Sequence, residues 1–163
     1  MVISDVSFSI PVGKTIAIVG PSGSGKSTIG KLIFGFYKPS SGKILIDGRD
    51  SADLNTATVR RQLAVTPQDI VLFNDTLEYN IKYGSNHVSV DKLNSVIEQV
   101  DLKDFILSLP DGLVTQVGER GLKLSGGEKQ RVAIARMLLK DCYINILDEA
   151  TSSLDSKTEK IRN

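Results

Sequence analysis

The sequence predicts an α/β fold in which helices pack against a mostly parallel sheet. Three observations predict it. A short apolar stretch, residues 15–19, leads directly into a glycine-rich loop and then into a helical pattern. A long and mostly helical region follows, and a second apolar stretch, residues 143–147, ends in two adjacent carboxylates. This order of strand, loop, helix, helical insertion and strand is typical of an α/β domain.

Length and composition limit the kinds of protein that this chain can be. Its 163 residues fit one domain, and 40% hydrophobic with 24% charged residues is ordinary for a globular chain. A net charge of +1 provides no field that would attract nucleic acid, so no nucleic-acid partner is expected. The single cysteine, Cys142, cannot form an internal disulfide and is expected to be a small buried apolar residue just before a strand. No apolar run reaches the roughly 18 residues of a membrane span, so another segment or chain would have to supply one.

The first half of the chain predicts three strands and one helix. Alternating apolar residues at 6–10 predict a half-buried strand, and the apolar run at 15–19 predicts a buried one. Residues 26–37 carry apolar side chains at helical spacing and predict a helix. Residues 44–47 predict a further strand, which ends at a turn around Gly48.

The second half is mostly helical before a last strand. Residues 91–100 carry apolar side chains at helical spacing. Ser125 is a good N-cap and Glu128, three positions later, completes a capping box, so a helix is predicted from there to about residue 140. Residues 143–147 predict a strand. Within it Asn145 needs a polar partner or solvent, because a buried unpaired amide costs about 1–3 kcal/mol.

The glycine-rich loop predicts a phosphate-binding site. Its glycines allow tight turns that point several N–H groups inward, and the helix behind it directs its positive end toward the same place. Lys26 adds a charge for the β- and γ-phosphates, and the Ser27 hydroxyl can bind Mg²⁺. The alternative is a glycine-rich turn with a chance lysine, and the flanking strand and helix disfavour it. The predicted nucleotide-binding residues here are Gly20, Pro21, Ser22, Gly23, Ser24, Gly25, Lys26, Ser27 and Thr28.

Two carboxylates follow the last predicted strand. Asp148 and Glu149 would lie at the carboxyl edge of the sheet, where ligands of open α/β sheets bind. Asp148 is predicted to hold Mg²⁺, and Glu149 to orient and deprotonate the water that attacks the phosphate. Alone, this pair would be better explained as a solvated turn. Together with the phosphate loop it predicts hydrolysis of ATP.

A second phosphate-binding element begins at Ser125, about a hundred residues after the first. Gly126 and Gly127 allow close approach, and Ser125 and the helix N–H groups can stabilise anionic oxygen. One nucleotide does not need both elements from one small domain. We therefore expect each copy of the chain to bind ATP with one element and to close over the ATP of a second copy with the other.

With these motifs the chain resembles the ATP-binding-cassette (ABC) ATPases. The string Leu-Ser-Gly-Gly-Glu-Lys-Gln-Arg at 124–131, about twenty residues before Asp148, carries the resemblance. It implies a P-loop NTPase (RecA-like) core with a mostly parallel sheet, an N-terminal antiparallel β part and a helical signature subdomain. The implied division is a single incomplete domain over 1–163, with 1–67 and 141–163 as the core and 68–140 as the helical subdomain. It also implies a head-to-tail homodimer with a second nucleotide-binding domain.

The resemblance assigns roles to further residues. Gln68, in Thr-Pro-Gln-Asp at 66–69, resembles the glutamine that touches Mg²⁺ and relays motion to the transport domain. Asp155, in Ser-Ser-Leu-Asp at 152–155, resembles the loop residue at the dimer seam. The expected catalytic residues are thus Glu149, Lys26 and Gln68, and the expected Mg²⁺ ligands are Ser27, Gln68 and Asp148. The signature residues that would contact nucleotide are Ser125, Gly126, Gly127 and Glu128.

Within the family the chain looks like an exporter. Residues 115–121 resemble the short loop that senses the membrane domains of exporters. Residues 67–75, 79–84 and 148–155 are similar to mitochondrial half-transporters linked to iron–sulfur protein maturation. This implies a transmembrane domain as partner and the matrix side of the mitochondrial inner membrane, or otherwise the cytoplasmic face of a membrane. Phe73, Tyr79 and Tyr83 are expected either to line the groove for a coupling helix or to pack in the core.

Two family features are absent from the chain. The aromatic residue that stacks on adenine would precede the first strand, and a histidine would follow the catalytic glutamate by some thirty residues. The only histidine, His87, is expected to be a solvated loop residue. The chain is therefore expected to be truncated, with weak ATP affinity and little turnover alone. Two alternatives stay open, namely a non-transport ABC ATPase associated with chromosomes or translation, and a remnant with weak nucleotide binding.

Overall fold

The computed structural model describes residues 3–148, and these residues form parts of two compact units. The first unit comprises Met1–Arg60 and the second Arg61–Asn163. Both units contain the mixture of helix and strand that the α/β prediction requires. None of the described helices is both long and apolar enough to cross a membrane.

The first unit contains one regular helix and one small hairpin. Helix α1 (Lys26–Ile33) follows the glycine-rich loop. Strands β1 (Leu45–Ile46) and β2 (Arg49–Asp50) pair in antiparallel fashion. They are joined through Asp47 and Gly48, whose φ angles of 49° and 77° make the mirror-image turn that suits a two-residue hairpin. A short 3₁₀ helix (Ser51–Asp53) and helix α2 (Thr56–Arg61) follow, and the last residue of α2 begins the second unit.

The predicted strands at 6–10 and 15–19 are wrong for this structure. Neither segment is a strand, and residues that were predicted to be buried are exposed, such as Ile16 and Val19 at 42% and 87%. A strand needs a hydrogen-bonded neighbour, and within the described residues neither segment has one. Alternation of apolar residues indicates which face a strand would bury, but it does not supply the partner.

Helix α1 ends four residues earlier than the sequence predicts. Gly35 adopts a left-handed conformation with φ of 74°, its N–H donates to Leu32 O, and the N–H of Phe36 donates to Lys31 O. This pair of hydrogen bonds is the Schellman ending, which reverses the chain and stops the helix. The aromatic residues after it, Phe36 and Tyr37, are exposed rather than helical.

The second unit is a group of helices beside a two-stranded parallel sheet. Strand β3 (Leu63–Thr66) pairs with β4 (Ile144–Leu147), in the register Leu63 to Ile144 and Thr66 to Leu147. The helices are α3 (Leu77–Lys82), α4 (Val90–Gln99), α5 (Lys103–Ser108) and α6 (Gly126–Lys140). Short 3₁₀ turns occupy Gly112–Val114 and Glu119–Gly121. The predictions of α4, of α6 and of the strand before Asp148 are confirmed.

The core of the second unit lies between these helices and includes the loop that joins α5 to α6. Because α3, α4, α5 and α6 all turn an apolar face inward, the unit has one continuous core that holds the loop and α6 together. Its buried side chains are Leu72, Leu77, Ile81, Leu93, Val96, Ile97, Val100, Leu102, Ile106, Val117, Leu124, Val132, Ala135 and Leu139.

Two polar residues near β4 lie where they cost little. Asn145 is exposed, so the cost of burying its amide does not arise, and its Nδ2 lies 3.5 Å from Cys142 O. Cys142 is a free thiol that is only half-buried, and its Sγ lies 3.4 Å from Arg61 O. The expectation that Cys142 is a fully buried apolar residue is therefore wrong. His87 is exposed, as expected.

Candidate functional site

The glycine-rich loop folds as an entry to helix α1. Gly25 is buried and serves as the N-cap in a left-handed conformation with φ of 94°, and Gly23 also has a positive φ of 78°. The N–H of Ser24 donates to Pro21 O at 3.2 Å and closes a turn inside the loop. A side chain at position 25 would force a strained backbone, which explains why glycine stands there. The loop thus leads into the N-terminus of α1, which is the positive end of the helix dipole and stabilises an anion.

The side chain of Lys26, the first residue of α1, folds back onto the glycine-rich loop. Its Nζ donates to Gly20 O at 2.8 Å and to Pro21 O at 2.9 Å, and no acidic residue lies in the first turn of α1. A Cβ at Gly20 would lie 2.9 Å from Ser24 Oγ, so a side chain at position 20 would force the Ser24 hydroxyl to move. Ser27 is half-buried in the same turn. The structure therefore brings the predicted phosphate-binding residues of the loop together.

Gln68 and Asp148 follow neighbouring parallel strands. Gln68 comes two residues after β3, Asp148 comes directly after β4, and the N–H of Asp148 donates to Thr66 O at 3.0 Å. The carboxyl ends of parallel strands meet at one edge of a sheet, which is where ligands of such folds bind. The structure therefore brings an amide and a carboxylate to this edge. Glu149 and Asp155, which were predicted to take part, lie outside the described residues.

The predicted signature forms a complete capping box. Ser125 Oγ accepts a hydrogen bond from Glu128 N at 3.3 Å, and Glu128 Oε2 accepts one from Ser125 N at 2.6 Å. Leu124 is 8% exposed and anchors the start of the helix in the core, whereas Ser125 and Gly126 are exposed. A Cβ at Gly126 would meet no other described atom within 4 Å. The positive end of the 15-residue helix α6 is therefore open for an anion to approach.

These elements are distributed over both units. The phosphate loop belongs to the first unit, whereas Gln68, Asp148 and the capping box belong to the second. Within the second unit Gln68 follows β3, and the sheet formed by β3 and β4 contacts α6. The amide and carboxylate edge and the signature helix are thus packed into one body.

An exposed group of three rings lies near Gln68 along the chain. We call Phe73, Tyr79 and Tyr83 the aromatic cluster; their exposed fractions are 41%, 45% and 47%. The ring centroids of Phe73 and Tyr83 are 4.3 Å apart, and Tyr79 lies 5.8 Å from Phe73 and 6.0 Å from Tyr83. The three rings thus lie half-exposed side by side at the surface, outside the core of the second unit.

Two residues behind the cluster were not predicted from the sequence. Arg136, on α6, places its guanidinium 5.8 Å from the Phe73 ring centroid and 5.6 Å from that of Tyr83. Asn80, on α3, lies between Phe73 and Tyr83 in the sequence. Its side chain is fully buried and accepts a hydrogen bond from Arg136. The available signals were an arginine within an apolar helical pattern and an asparagine between two tyrosines. Neither signal identifies a partner, because the two residues are 56 positions apart.

The predicted exporter loop, residues 115–121, is joined to the segment that carries the aromatic cluster. Thr76 and Gln116 form a β-bridge, Leu77 N donates to Thr115 O at 2.9 Å, and Val117 N donates to Asp75 O at 3.1 Å. Gly121 is buried against Leu72, while Glu119 and Arg120 are exposed. The loop therefore presents a charged pair to solvent from a rigidly held backbone.

Comparison with known families shows to which protein family the chain belongs. The family model described as ABC transporter matches residues 3–152, which is nearly all of the chain. The chain belongs to the ABC transporter family. The predicted P-loop NTPase fold, with its parallel and antiparallel sheets and helical signature region, is confirmed by this match and by the structural comparison below.

Individual ABC transporters resemble the chain closely. The mitochondrial iron–sulfur clusters transporter ABCB7 of Rattus norvegicus is 55% identical over 159 residues, which cover 98% of this chain and 21% of that protein. An ATM1-type heavy metal exporter of Novosphingobium aromaticivorans is 53% identical over 98% of this chain and 26% of that protein. The chain thus spans about a fifth to a quarter of the length of these relatives. The predicted resemblance to mitochondrial half-transporters is confirmed.

A solved structure of the ABC transporter family has the same fold. The structure of a bacterial Atm1-family ABC exporter with ATP bound matches 86% of this chain at 54% identity with a TM-score of 0.82. The match covers 25% of that exporter chain. The roles assigned above to single residues remain predictions, because family membership establishes the fold and the class rather than each contact.

Proposed function

We propose that this chain binds ATP and hydrolyses it as the nucleotide-binding domain of an exporter. The observation that carries the proposal is the likeness, over most of the chain, to a bacterial exporter whose structure has ATP bound. The phosphate loop, the amide and carboxylate edge and the open capping box are the parts that such a function needs.

The phosphate loop binds the triphosphate. Gly23 and Gly25, both with positive φ, turn the backbone so that N–H groups of the loop and of the first turn of α1 face one anion. Lys26 Nζ is held by two carbonyl oxygens, and a phosphate oxygen replaces these neutral acceptors with a charged one. Charge-assisted hydrogen bonds are about twice as strong as neutral ones, so the exchange favours the nucleotide.

Mg²⁺ fits the oxygen donors that the chain provides. Ser27, Gln68 and Asp148 offer a hydroxyl, an amide and a carboxylate oxygen, which are the ligands that Mg²⁺ prefers. Mg²⁺ usually takes one or two carboxylates together with phosphate and water, and Asp148 is the carboxylate of this set. When bound, the ion would neutralise charge that develops on the transferred phosphoryl group.

Glu149 directly follows Asp148 and is the proposed general base. It orients a water and accepts its proton as the water attacks the γ-phosphorus in line with the bond to the leaving ADP oxygen. The bond from phosphorus to ADP breaks, and ADP and inorganic phosphate result. Gln68 positions the water and the metal from the neighbouring strand.

The signature binds the nucleotide of a second copy. Two chains pair head-to-tail, so that Ser125, Gly126, Gly127 and Glu128 of one copy approach the γ-phosphate held by the other, with Asp155 at the seam. The exposed serine and glycine at the positive end of α6 support this arrangement, because Gly126 has no side chain that would keep a phosphate from the start of the helix. A twofold axis makes the two sites equivalent.

The aromatic cluster and the exporter loop contact a transmembrane domain. We assign a coupling helix of that domain to the cluster, where about half of each ring is available for apolar contact. Glu119 and Arg120 lie exposed on the adjoining loop and offer charge pairing. The similarity to mitochondrial relatives supports the matrix side of the mitochondrial inner membrane as the location. A nucleic-acid-associated function is disfavoured, because the longest helix between Ser27 and Leu124 has 10 residues and leaves no room for a coiled coil.

The experiment uses Glu149→Gln, which removes the general base and retains ATP. We would measure sedimentation of the 163-residue chain, and of the longest polypeptide that its gene encodes, with and without Mg-ATP. ATP-dependent dimers are expected with Glu149→Gln, and adding Gly126→Asp should abolish them by placing a carboxylate against the γ-phosphate. Glu98→Gln, an exposed carboxylate change, is the control. Failure of both polypeptides to form ATP-dependent dimers would overturn the proposal.

A further inference from the structure

We infer that Arg136 and Asn80 form a positioning pair that couples the aromatic cluster to the signature helix. Displacement of the cluster would then move Ser125 and change how the signature meets a nucleotide. The inference rests on the proposed function in that the cluster is taken as the contact for a transmembrane partner. The coupling itself lies wholly within the second unit, so it can be tested without that partner.

The guanidinium of Arg136 donates hydrogen bonds to the segment that carries the cluster. Nη2 donates to Asn80 Oδ1 at 2.6 Å, Nε donates to Asn80 O, and Nη1 donates to Val71 O at 3.2 Å. The same guanidinium lies beside the rings of Phe73 and Tyr83. A planar fork with three directed hydrogen bonds fixes orientation as well as distance.

The side chain of Asn80 is hydrogen-bonded in turn to the backbone of Phe73. Its Oδ1 also accepts from Phe73 N at 2.8 Å, and its Nδ2 donates to Phe73 O at 3.0 Å and to Thr76 O at 2.9 Å. The side chain is fully buried, so water cannot substitute for these bonds. The amide therefore ties residue 73 to the start of α3, and Arg136 ties the amide to α6.

Helix α6 connects this pair to the signature. Arg136 lies eleven residues after Ser125, which corresponds to about 16 Å of helix at about 1.5 Å per residue. A helix packed into a core along one face moves as a rod, so a tilt at Arg136 reaches the capping box at Ser125. A second connection runs through the exporter loop, in which Val117 N donates to Asp75 O and Leu124 N donates to Gly121 O.

The chemistry of the pair favours positioning over simple stabilisation. Arg136 is partly buried, so part of its hydration is lost, and an apolar side chain of similar volume often serves a core as well or better. Burial lowers the pKa of the Arg136 guanidinium from its ordinary value, and the nearby Tyr83 and Tyr79 oppose that shift. Arginine nevertheless stays protonated in proteins. Buried polar networks that are fully satisfied specify one arrangement, which is what a coupling element requires.

The test measures transmission in the full 163-residue chain by NMR. The reporter is the Glu128 amide, which donates to Ser125 Oγ in the capping box. Phe73→Leu alters the cluster and removes its ring contact with Arg136, and it is expected to shift this resonance. In the Arg136→Met background the same change should leave the resonance unmoved. Lys92→Met, which removes an ion pair to Asp141 at the other end of α6, is the control and should preserve the response.

An equal shift in both backgrounds would overturn the inference, because the signal would then travel through the exporter loop. Absence of any shift with Arg136 present would overturn it as well. If Arg136→Met does not fold, Arg136→Lys replaces it, since a lysine cannot make three forked bonds and transmission should again be lost. The ATP-dependent dimer of Glu149→Gln is scored separately. If Glu149→Gln forms no ATP-dependent dimer while the aromatic cluster is unchanged, that result counts against the proposed function. The NMR result counts for or against the coupling.

Discussion

Gly121 packs against Leu72 with no space for a side chain between them. A Cβ at Gly121 would lie 2.7 Å from Leu72 Cδ1 and 3.2 Å from its Cβ and Cγ. Leu72 is 2% exposed and belongs to the segment between Gln68 and the aromatic cluster. The contact therefore joins the exporter loop to that segment, and a side chain at position 121 would force Leu72 to move.

Gly121→Ala should destabilise the second unit more than Gly84→Ala. Both glycines have positive φ, 67° and 83°, so alanine is strained at each position. At Gly84 a new Cβ would meet no described atom within 4 Å, whereas at Gly121 overpacking against Leu72 adds about 1–3 kcal/mol. The free energy of unfolding from urea titration would show the difference. Equal losses in the two variants would contradict the close contact.

Ser125 should separate helix capping from nucleotide contact. Ser125→Ala removes the cap and should cost about 1 kcal/mol of unfolding free energy. Ser125→Asp keeps an N-cap acceptor and should retain stability, yet its carboxylate should abolish ATP-dependent association by repelling phosphate. Ser89→Ala, which removes the N-cap of α4, is the control that loses stability alone. Association that survives Ser125→Asp would show that the signature does not meet a nucleotide.

Lys26→Ala should abolish ATP binding and leave stability nearly unchanged. Its Nζ bonds only to carbonyl oxygens in an exposed loop, so solvent can replace the lost donor when the side chain is removed. Lys31→Ala, an exposed lysine on the same helix, should change neither property. Isothermal titration with Mg-ATP and thermal unfolding together measure the two effects. Unchanged ATP affinity would remove Lys26 from the site.

Arg60→Ala should destabilise the first unit. Arg60 Nη2 donates to Gly35 O at 2.9 Å and Nε to Phe34 O at 3.4 Å, where the last carbonyls of α1 need donors. Its guanidinium also lies 5.6 Å from the Phe34 ring and 5.5 Å from the Phe36 ring. Charged hydrogen bonds contribute about 1.5–3 kcal/mol, so a loss near 2 kcal/mol is expected in urea unfolding. Arg61→Ala, the exposed neighbour, should cost far less.

Asp148→Asn should weaken ATP binding only when Mg²⁺ is present. The amide keeps the size of the carboxylate and loses the charge that attracts the ion. Titration of ATP with Mg²⁺ and again with EDTA would therefore converge on the same affinity for this variant, while the native chain keeps a difference. Asp141→Asn, at the exposed left-handed C-cap of α6, is the control and should behave like the native chain.

Local interactions were predictable because their partners are close in sequence. The capping box joins Ser125 and Glu128, three residues apart, and the hairpin turn depends on Gly48 and its neighbour. The end of α1 is also local, yet it differs from the prediction. The helical spacing of apolar residues continues past Gly35, whereas the left-handed conformation of Gly35 ends the helix. The strands at 6–10 and 15–19 were predicted wrongly because a strand depends on a partner that periodicity does not reveal.

The sequence by itself determined the phosphate loop, the capping box and membership of the ABC transporter family, since each depends on residue types at short and fixed spacing. Only the tertiary structure decided that Asn80 and Arg136 meet, that Gly121 closes on Leu72, and that Gln68 and Asp148 share a sheet edge. These contacts join residues dozens of positions apart. Their geometry follows from the packing of whole helices and strands, which no short pattern encodes.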